Sequence, residues 1–499
     1  MPGGRGRGGG GGGGDITVHV EYLARSLMQK QEGMAAEEQH RSMATGTSHR
    51  LSRVPVHLRD NNANYYTPGF VAIGPLHNRE DRRLRPAERL KVAYLNSLIS
   101  RGHPDPAHHL TIIQKYIRVV AAREQEARAM YVGEDVVEIP PDDFIQMMVL
   151  DGCFIIEHLI NVATGHEEPS LHATPFGPAQ LSVDLVLAEN QMPFFLLVDL
   201  IASTKLPEFE ASGHPAPVLL VKLVLYYLAS EKGRDMSESL PPAEGVSHVL
   251  HLLHEMVTAA RTRWEPPPSA TQHTGGAQAA WRLVRRLPSM VLVPLLYRIV
   301  PESRRRRVWE DVPSASDLKR MRVNFKKASR RAGTTPVADI ALLMGPVPLA
   351  VKLMEDGQLQ LPQLLLEART APLLLNLMAF ERSWRVKQEV SPYAAFMAKL
   401  VQTAEDAGLL AAAKVLQHGN ESMDEVAKLF RMLGVASEAG AKLETSYLSV
   451  TLEELRRLSQ SWADVERHYF TLLAELLALV TFVSGISTIV QTYAAFKYH

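Results

Sequence analysis

The chain has 499 residues, of which 46% are hydrophobic and 22% charged, a composition typical of folded globular proteins and not of disordered ones. Lysine plus arginine and aspartate plus glutamate both total 54, so no overall charge attracts nucleic acid, and we expect no nucleic-acid partner. The one cysteine, Cys153, excludes an intramolecular disulfide. The length corresponds to roughly two to four domain-sized units.

The N-terminal region has the composition of an unstructured tail. Residues 1–14 are glycine apart from a methionine, a proline and two arginines, so they have almost no side chains to bury. This stretch lacks the apolar core of a signal peptide, and we expect no cleavable signal. We predict a disordered, low-complexity tail over residues 1–50 and the start of folded structure near Leu51.

Residues 51–468 have mainly helical periodicity. Hydrophobic residues recur at spacings of three and four, for example at Phe144, Met147 and Met148, which favours helices with one buried face. Runs of β-branched residues are few, and a doubly wound sheet is not indicated. We predict a mainly α, multi-helix body with a loop near 265–278. Its predicted helices include one from Asp142 and those at Val218–Ser230, Val246–Thr258, Gln402–Leu416 and Ser422–Leu433, the last with Gly434 as its stop.

The C-terminal region, 469–499, has the pattern of a membrane anchor. No charged residue occurs from Leu476 to Phe496, and 21 residues at about 1.5 Å per residue span roughly 30 Å, the thickness of a bilayer core. We therefore predict one C-terminal transmembrane helix. The alternative is a last helix that packs inside a soluble bundle. The residues that mark the predicted span are Leu476, Phe482, Gly485, Tyr493 and Phe496.

Basic residues favour the cytoplasmic side of a membrane helix. Arg456, Arg457 and Arg467 precede the predicted span, and Lys497 follows it. We therefore expect the body in the cytosol and the anchor in the plasma membrane or an endomembrane.

The stretch D-L-V-L-A-E-N-Q-M-P-F-F-L-L, Asp184–Leu197, places polar residues in an apolar run. We predict a structural role for it: Asp184 as a helix N-cap, Glu189–Gln191 as partners of buried polar groups, and Pro193 at the start of the next helix. The alternative is an enzyme with a perturbed acid at Glu189.

Asp151 and Gly152 are a second structural candidate, and Asp151 would join Glu189 in a buried pocket under the enzyme hypothesis. Cys153 and His158 are five residues apart and point to different faces of a helix, so burial is the expected role of Cys153. We predict no catalytic residue, no metal and no cofactor. The basic residues between 304 and 331 favour a solvated helix face, with lipid headgroups or nucleic acid as the alternatives.

Several motifs occur together in a characteristic order. They are R-V-P-V-H-L-R at Arg53–Arg59, Y-Y-T-P-G-F-V-A-I-G-P-L-H at Tyr65–His77, D-D-F-I-Q-M-M-V-L-D-G-C-F-I-I-E-H-L at Asp142–Leu159, the Asp184–Leu197 stretch, V-S-H-V-L-H-L-L-H, S-A-S-D-L-K-R-M-R-V-N-F, G-Q-L-Q-L-P and L-N-L-M-A-F-E-R. In this respect the chain resembles the plant family called domain of unknown function 247 over nearly all of its length from Leu51.

The resemblance implies a largely helical single domain with a C-terminal membrane segment, found in land plants and without an established enzymatic activity. Some members lie at the self-incompatibility loci of grasses, where a recognition role on the pollen side is proposed. Our main functional hypothesis is a non-enzymatic, membrane-anchored module that binds an unknown protein partner. The two alternatives are an enzyme of unrecorded chemistry and a soluble regulatory module.

Overall fold

The structure is a computed structural model of the whole chain. It describes residues 50–59, 62–77, 83–173, 176–229, 242–262, 312–328, 349–384, 386–419, 421–438 and 443–497. Two predictions, the tail over 1–50 and the loop near 265–278, lie outside these residues apart from residue 50.

The described part of the chain is mainly helical, as predicted. Its helices of nine or more residues are α1 (Arg85–Gly102), α2 (His109–Ala121), α3 (Pro141–Thr164), α4 (Phe176–Asp184), α5 (Phe194–Ser203), α6 (Ala216–Ala229), α7 (Val249–Thr262), α8 (Thr370–Trp384), α9 (Val390–Leu400), α10 (Ala404–Ala412), α11 (Met423–Glu438) and α12 (Ser449–Lys497). Shorter α-helices lie at Val56–Arg59, Glu124–Ala129, Glu134–Val137, Pro169–His172, Pro207–Glu210 and Ala315–Arg320.

Five short strands form two small sheets beside the helices. The strands are β1 (Asn324–Lys327), β2 (Lys352–Leu353), β3 (Gln358–Leu361), β4 (Leu364–Leu366) and β5 (Leu416–His418). In the first sheet the order is β1-β3-β2, with β1 parallel and β2 antiparallel to β3. In the second sheet β4 pairs with β5 in parallel. These strands are too short for the period-2 pattern to have revealed them in the sequence.

The N-terminal half is built around α3. This helix packs against α1, α2, α5 and α6, and it is buried on nearly all sides from Asp151 to Asn161. Gly165 ends it in the left-handed conformation, with φ of 71°. In the C-terminal half α9, α10 and α11 pack together, and α8 contacts α9, α11 and α7. One continuous cluster of buried hydrophobic side chains runs through both halves, from Leu51 to Leu455.

The predicted stop at Gly434 is wrong, because α11 continues to Glu438. A Cβ on Gly434 would lie 2.7 Å from the Cβ of Ala398 in α9. Glycine occurs there because the two helices approach each other closely, and a glycine at a helix contact has the same sequence signal as one at a helix end. The predicted helix to Leu416 is also too long: α10 ends at Ala412, and Leu416 lies in β5.

One helix in the described residues, α3, is both long and apolar enough to cross a membrane, with a mean hydropathy of 1.4. However, 72% of its apolar window is buried inside the protein, and a core helix has the same length and composition. This gives only weak support for membrane association. The described apolar stretch of the C-terminal helix, Glu475–Ile489, falls short of that length, so the predicted C-terminal span is not shown by the fold.

Gly152 allows α3 and α5 to approach each other. A Cβ at this position would overlap with the side chain of Leu200 and lie 3.3 Å from the Cε of Met192. We expect Gly152→Ala to lower the free energy of unfolding by about 1–3 kcal/mol, because the well-packed core must shift to admit the methyl group. Chemical denaturation of the purified variant measures this effect.

Gly408 is the matched control, because it also lies in a helix but has no atom within 4 Å of the position that a methyl group would occupy. Gly408→Ala is expected to stabilise the protein by up to about 1 kcal/mol, through helix propensity alone. Equal effects of the two substitutions would contradict the close packing at Gly152.

Candidate functional site

The segment from Tyr65 to His77 crosses the protein core largely without regular secondary structure. Val71, Ala72 and Ile73 are at most 1% exposed. Backbone N–H groups at such buried positions have neither water nor a strand to pair with, and an unpaired group costs about 1–3 kcal/mol. The polar side chains of the Asp184–Leu197 stretch supply the missing partners.

Asp184 binds three consecutive backbone N–H groups of this segment. Its Oδ1 accepts from the N–H of Gly69 at 3.0 Å, and its Oδ2 accepts from Phe70 at 2.7 Å and Val71 at 2.8 Å. Gln180 donates a fourth hydrogen bond at 3.0 Å. Burial raises the pKa of the Asp184 carboxyl, and these four donors oppose the increase. The predicted N-cap role is wrong, since Asp184 is the last residue of α4 and its carboxylate binds a distant loop.

Asn190 and Gln191 continue the pairing. The Oδ1 of Asn190 accepts from the N–H of Ile73 at 2.7 Å, and its Nδ2 donates to the carbonyls of Val71 and Asp184. The Gln191 Nε2 donates to the carbonyl of Leu187 at 3.0 Å, among others, and its Oε1 accepts from the N–H of Leu250 in α7. The predicted role of both amides, to satisfy buried polar groups, is what these contacts perform.

Glu189 holds the beginning of the described chain. Its Oε1 accepts from the N–H of Val54 at 2.7 Å, and its Oε2 lies 3.0 Å from the Nη1 of Arg59. Burial raises the pKa of the Glu189 carboxyl, against the effects of Val54 and Arg59. His77 Nε2 is 3.7 Å from Glu189, but burial and the nearby arginines lower its pKa to about 4, so His77 is neutral at physiological pH.

Asp151 binds the C-terminal part of the Tyr65–His77 segment. Its Oδ2 accepts from the N–H of Gly74 at 2.8 Å, and its Oδ1 lies 2.8 Å from the Nζ of Lys91, with both side chains fully buried. Lys91 also donates to the carbonyl of Ala72 at 2.6 Å. Gly74 has φ of 71°, and a Cβ there would lie 2.6 Å from the carbonyl oxygen of Gln191. The turn therefore requires glycine.

The remaining residue of the motif, Pro193, is the N-cap residue of α5, in agreement with its predicted place at the start of a helix. The next N–H, of Phe194, donates to the carbonyl of Ser247 at 2.8 Å. Asn376 of α8 accepts from the N–H of Ala188 and donates to the carbonyl of Tyr65, each at 2.7 Å. The motif is thereby fixed to both halves of the protein.

A second buried polar cluster lies between α7, α8 and α9. Glu381 accepts hydrogen bonds from the N–H groups of Glu389, Val390 and Ser391, which are orphan donors at the N-terminus of α9. The Ser391 hydroxyl donates to it at 2.6 Å, and His254 Nε2 lies 3.1 Å away. These donors lower the pKa of Glu381 although burial opposes them.

His254 is positively charged at neutral pH. Burial lowers its pKa, but the carboxylates of Glu255 and Glu381 outweigh burial and raise the pKa to about 9. Interactions with His251 and His254 lower the pKa of Glu255 to about 2. His254 and Glu381 therefore form a buried charge pair. Among the residues that the structure describes, no group of three or more His, Cys, Asp or Glu could hold a metal ion.

The chemistry available to the two carboxylates of the enzyme hypothesis is limited by burial. Asp151 and Glu189 are both 0% exposed, and each oxygen named above already binds an N–H or a cation. Asp151 binds the backbone at Gly74, and Glu189 binds it 20 residues earlier, at Val54. Cys153 is also fully buried, and burial raises the pKa of its thiol, so it is not activated as a nucleophile.

The residues that mark the predicted span all lie in α12. Leu476 and Phe482 are 59% and 67% exposed. A Cβ added to Gly485 would have no atom within 4 Å. The side chains of Tyr493 and Phe496 lie outside the described part. Thr481 and Thr488 donate to carbonyls one turn earlier in the same helix, at 2.8 and 2.9 Å, so their hydroxyls are satisfied without water.

Several members of the polar network could not be singled out from the sequence. Arg59, Glu381 and His254 are parts of quoted motifs, but no spacing rule assigns them their partners. Lys91 interrupts the apolar face of α1, between Leu90 and Tyr94, and a lysine at such a position signals a buried ion pair. This pattern identifies Lys91 from the sequence, but not its partners.

Asp184→Asn tests the loop-holding role. The substitution leaves one acceptor oxygen where there were two and strands at least one backbone N–H, so we expect the free energy of unfolding to fall by about 1–3 kcal/mol or more. Urea denaturation measures it. Gln180→Ala is the control: it removes the side-chain donor but keeps the three backbone partners, and its effect should stay below about 1 kcal/mol. Equal losses would contradict the assignment.

His254 should make stability depend on alkaline pH. Its pKa of about 9 in the folded protein exceeds the ordinary 6.5, so its contribution is complete below pH 6.5 and is lost as pH rises through 9. The shift corresponds to about 3 kcal/mol, and urea denaturation across this range should show the loss in the wild type but not in His254→Gln. His172→Gln, at an exposed position, should keep it. A loss of the same size in His254→Gln would refute this origin.

Comparison with known proteins places this chain in a family. A family model described as a plant protein of unknown function, domain of unknown function 247, matches residues 51–488. The UPF0481 protein At3g47200 of Arabidopsis thaliana is 23% identical over 421 residues, which cover 83% of this chain and 77% of that protein. A second Arabidopsis thaliana relative, the putative UPF0481 protein At3g02645, is 21% identical over 464 residues, which cover 82% of this chain and 81% of that protein.

No solved structure matches the chain. The family model begins at Leu51, where folded structure was predicted to start, and covers the loop-holding motif, both buried polar clusters and most of α12. The chain therefore belongs to the plant family of unknown function called domain of unknown function 247.

Proposed function

We propose that this protein is a non-enzymatic plant membrane protein, anchored by the apolar end of α12, whose helical body binds another protein. The observation that supports the anchor most directly is the exposure of that helix end. Every side chain from Glu475 to Ile489 is exposed, and the large apolar ones are 46–69% exposed.

The apolar side chains in this stretch point in almost all directions. Leu476, Leu477, Leu479 and Val480 cover nearly half a turn, and Phe482 and Ile489 lie on the side away from Leu477. A helix that binds a protein groove needs one apolar face, whereas a helix that is apolar nearly all round needs an apolar environment on all sides. Lipid provides that environment. These exposures favour the anchor over the alternative of a last helix packed inside the body.

The polar groups in this stretch also suit a bilayer. The hydroxyls of Thr481 and Thr488 bond to the helix's own carbonyls, which is how such residues are accommodated away from water. Leu476–Phe496 is long enough to span the hydrocarbon core at about 1.5 Å per residue. The three arginines before the span and the one lysine after it favour a cytosolic body.

The proposal of a binding module and not an enzyme is supported by the site chemistry. The polar motif at Asp184–Leu197 has its side chains paired with the backbone of a buried loop, and Asp151 and Glu189 are closed to solvent. Such groups hold a shape and do not reach a substrate. A recognition role in this family would then reside on the surface of the body.

Alkaline carbonate extraction tests the anchor. In microsomes prepared from plant cells that express the full chain, we expect the protein to stay in the membrane pellet. Deletion of 471–499 should release it. Phe482→Arg with Ile486→Arg should release it as well, because each charge near the bilayer centre costs about 2.5–3.5 kcal/mol.

Val450→Arg is the matched control. Val450 is 68% exposed on the same helix, but it lies within the part of α12 that belongs to the body. This variant should remain in the pellet. Release of the wild type by carbonate, or retention of the double arginine variant, would refute the anchor.

A further inference from the structure

Positive charge is concentrated in one segment of a chain that is neutral overall. Between 304 and 331 there are eleven lysines and arginines against three acidic residues, whereas the two totals for the whole chain are equal. The structure describes residues 312–328 of this segment. They form the short helix Ala315–Arg320, a turn and the strand β1. Lys319 and Arg320 are exposed on the helix, as predicted, whereas Lys326 and Lys327 lie in the strand, where a helix face was predicted.

This segment packs beside the N-terminal part of α12. The Ser459 hydroxyl lies 3.7 Å from the Sδ of Met321, and Thr451 Oγ1 donates to the carbonyl of Val351 just before β2. In the sheet order β1-β3-β2, the β2 edge therefore faces α12. In the described part of the chain, β1 forms the opposite edge and has no neighbour on its outer side.

On its outer side, β1 pairs with no other strand that the structure describes. The N–H of Asn324 donates to the carbonyl of Gly357, and the N–H of Ala328 donates to Leu361, so these alternate residues face β3. Residues between them, Phe325 and Lys327, direct their peptide groups outward. A strand edge of this kind can pair with an extended peptide.

The side chains along this edge are basic. Lys326, Lys327 and Arg322 are exposed and form no ion pair with any described residue. Lys319 and Arg320 lie nearby; their partners among the described residues are Asn324 and Asp317 of the same segment, at 3.2 Å each. An extended segment rich in Asp and Glu would match both the main-chain pattern and the charge of β1.

Lipid headgroups are the competing source of negative charge, and distance disfavours them. Seventeen residues separate Ser459, where the segment contacts α12, from Leu476, where the apolar span begins. At about 1.5 Å per residue this is about 25 Å, and attraction between exposed charges is screened within about 10 Å at physiological salt. A peptide can reach the edge from any direction.

We propose that β1 accepts an acidic, extended segment of a partner protein as a fourth strand of its sheet. The proposal rests on the binding role of the body proposed above and is independent of the membrane anchor.

The probe is a fluorescent eight-residue peptide that alternates valine and glutamate, measured by anisotropy against the full chain in a non-ionic detergent. This detergent keeps the exposed end of α12 in solution whether or not it spans a membrane. We expect saturable binding that weakens about tenfold or more when every peptide N–H is methylated, since the charge is kept but the strand pairing is lost. The corresponding valine–lysine peptide should not bind.

Lys326→Glu should weaken binding about five- to tenfold. Lys205→Glu is the matched control, an exposed lysine in another part of the fold, and should leave affinity within about twofold. Circular dichroism establishes that both variants are folded.

Three results would overturn the proposal. Equal binding of the methylated peptide would show attraction by charge alone. Absence of binding would leave the lysines as protection of an exposed edge against aggregation. Displacement of the peptide by phosphatidylserine vesicles, but not by phosphatidylcholine vesicles, would assign the edge to lipid.

Discussion

The fold depends on the pairing between a buried loop and the side chains of one short motif. Segment Tyr65–His77 runs through the core where neither water nor a neighbouring strand can satisfy its backbone. Asp184 accepts from the three consecutive N–H groups of residues 69–71, Asn190 accepts from Ile73, and Asp151 accepts from Gly74. An unpaired buried group costs about 1–3 kcal/mol. Loss of all these hydrogen bonds would therefore cost a free energy comparable with the whole stability of an ordinary domain.

This pairing also explains how the helices are assembled. Asp151 belongs to α3, Asp184 to the end of α4, and Gln191 reaches the start of α7 through Leu250. Asn376 of α8 links the C-terminal half to these residues through hydrogen bonds with the backbone of Ala188 and Tyr65. Elements distant in the sequence thus share one hydrogen-bonded centre. The Glu381 cluster repeats the principle on a smaller scale, because one carboxylate satisfies the open N-terminus of α9.

Sequence reasoning reached the helical class and the structural character of the motif, but not its geometry. Period and composition revealed α3, α6 and α7, because their buried faces repeat at three and four residues. The N-cap assignment of Asp184 failed since an acid before an apolar run has the same pattern whether it caps its own helix or binds a loop 115 residues away. Gly434 was misread for a similar reason. The partners of Lys91 and Glu381 depend on tertiary contacts, which local spacing does not encode.

Helix α12 has 49 residues and no proline, and it extends without a break from the sheet at its base to its apolar end. At about 1.5 Å per residue it measures about 70 Å. A hinge would let the body swing freely about its attachment point, but a continuous rod does not. Wherever the apolar end is held, its tilt fixes the direction in which β1 and the rest of the body point. A torque applied at either end is transmitted to the other.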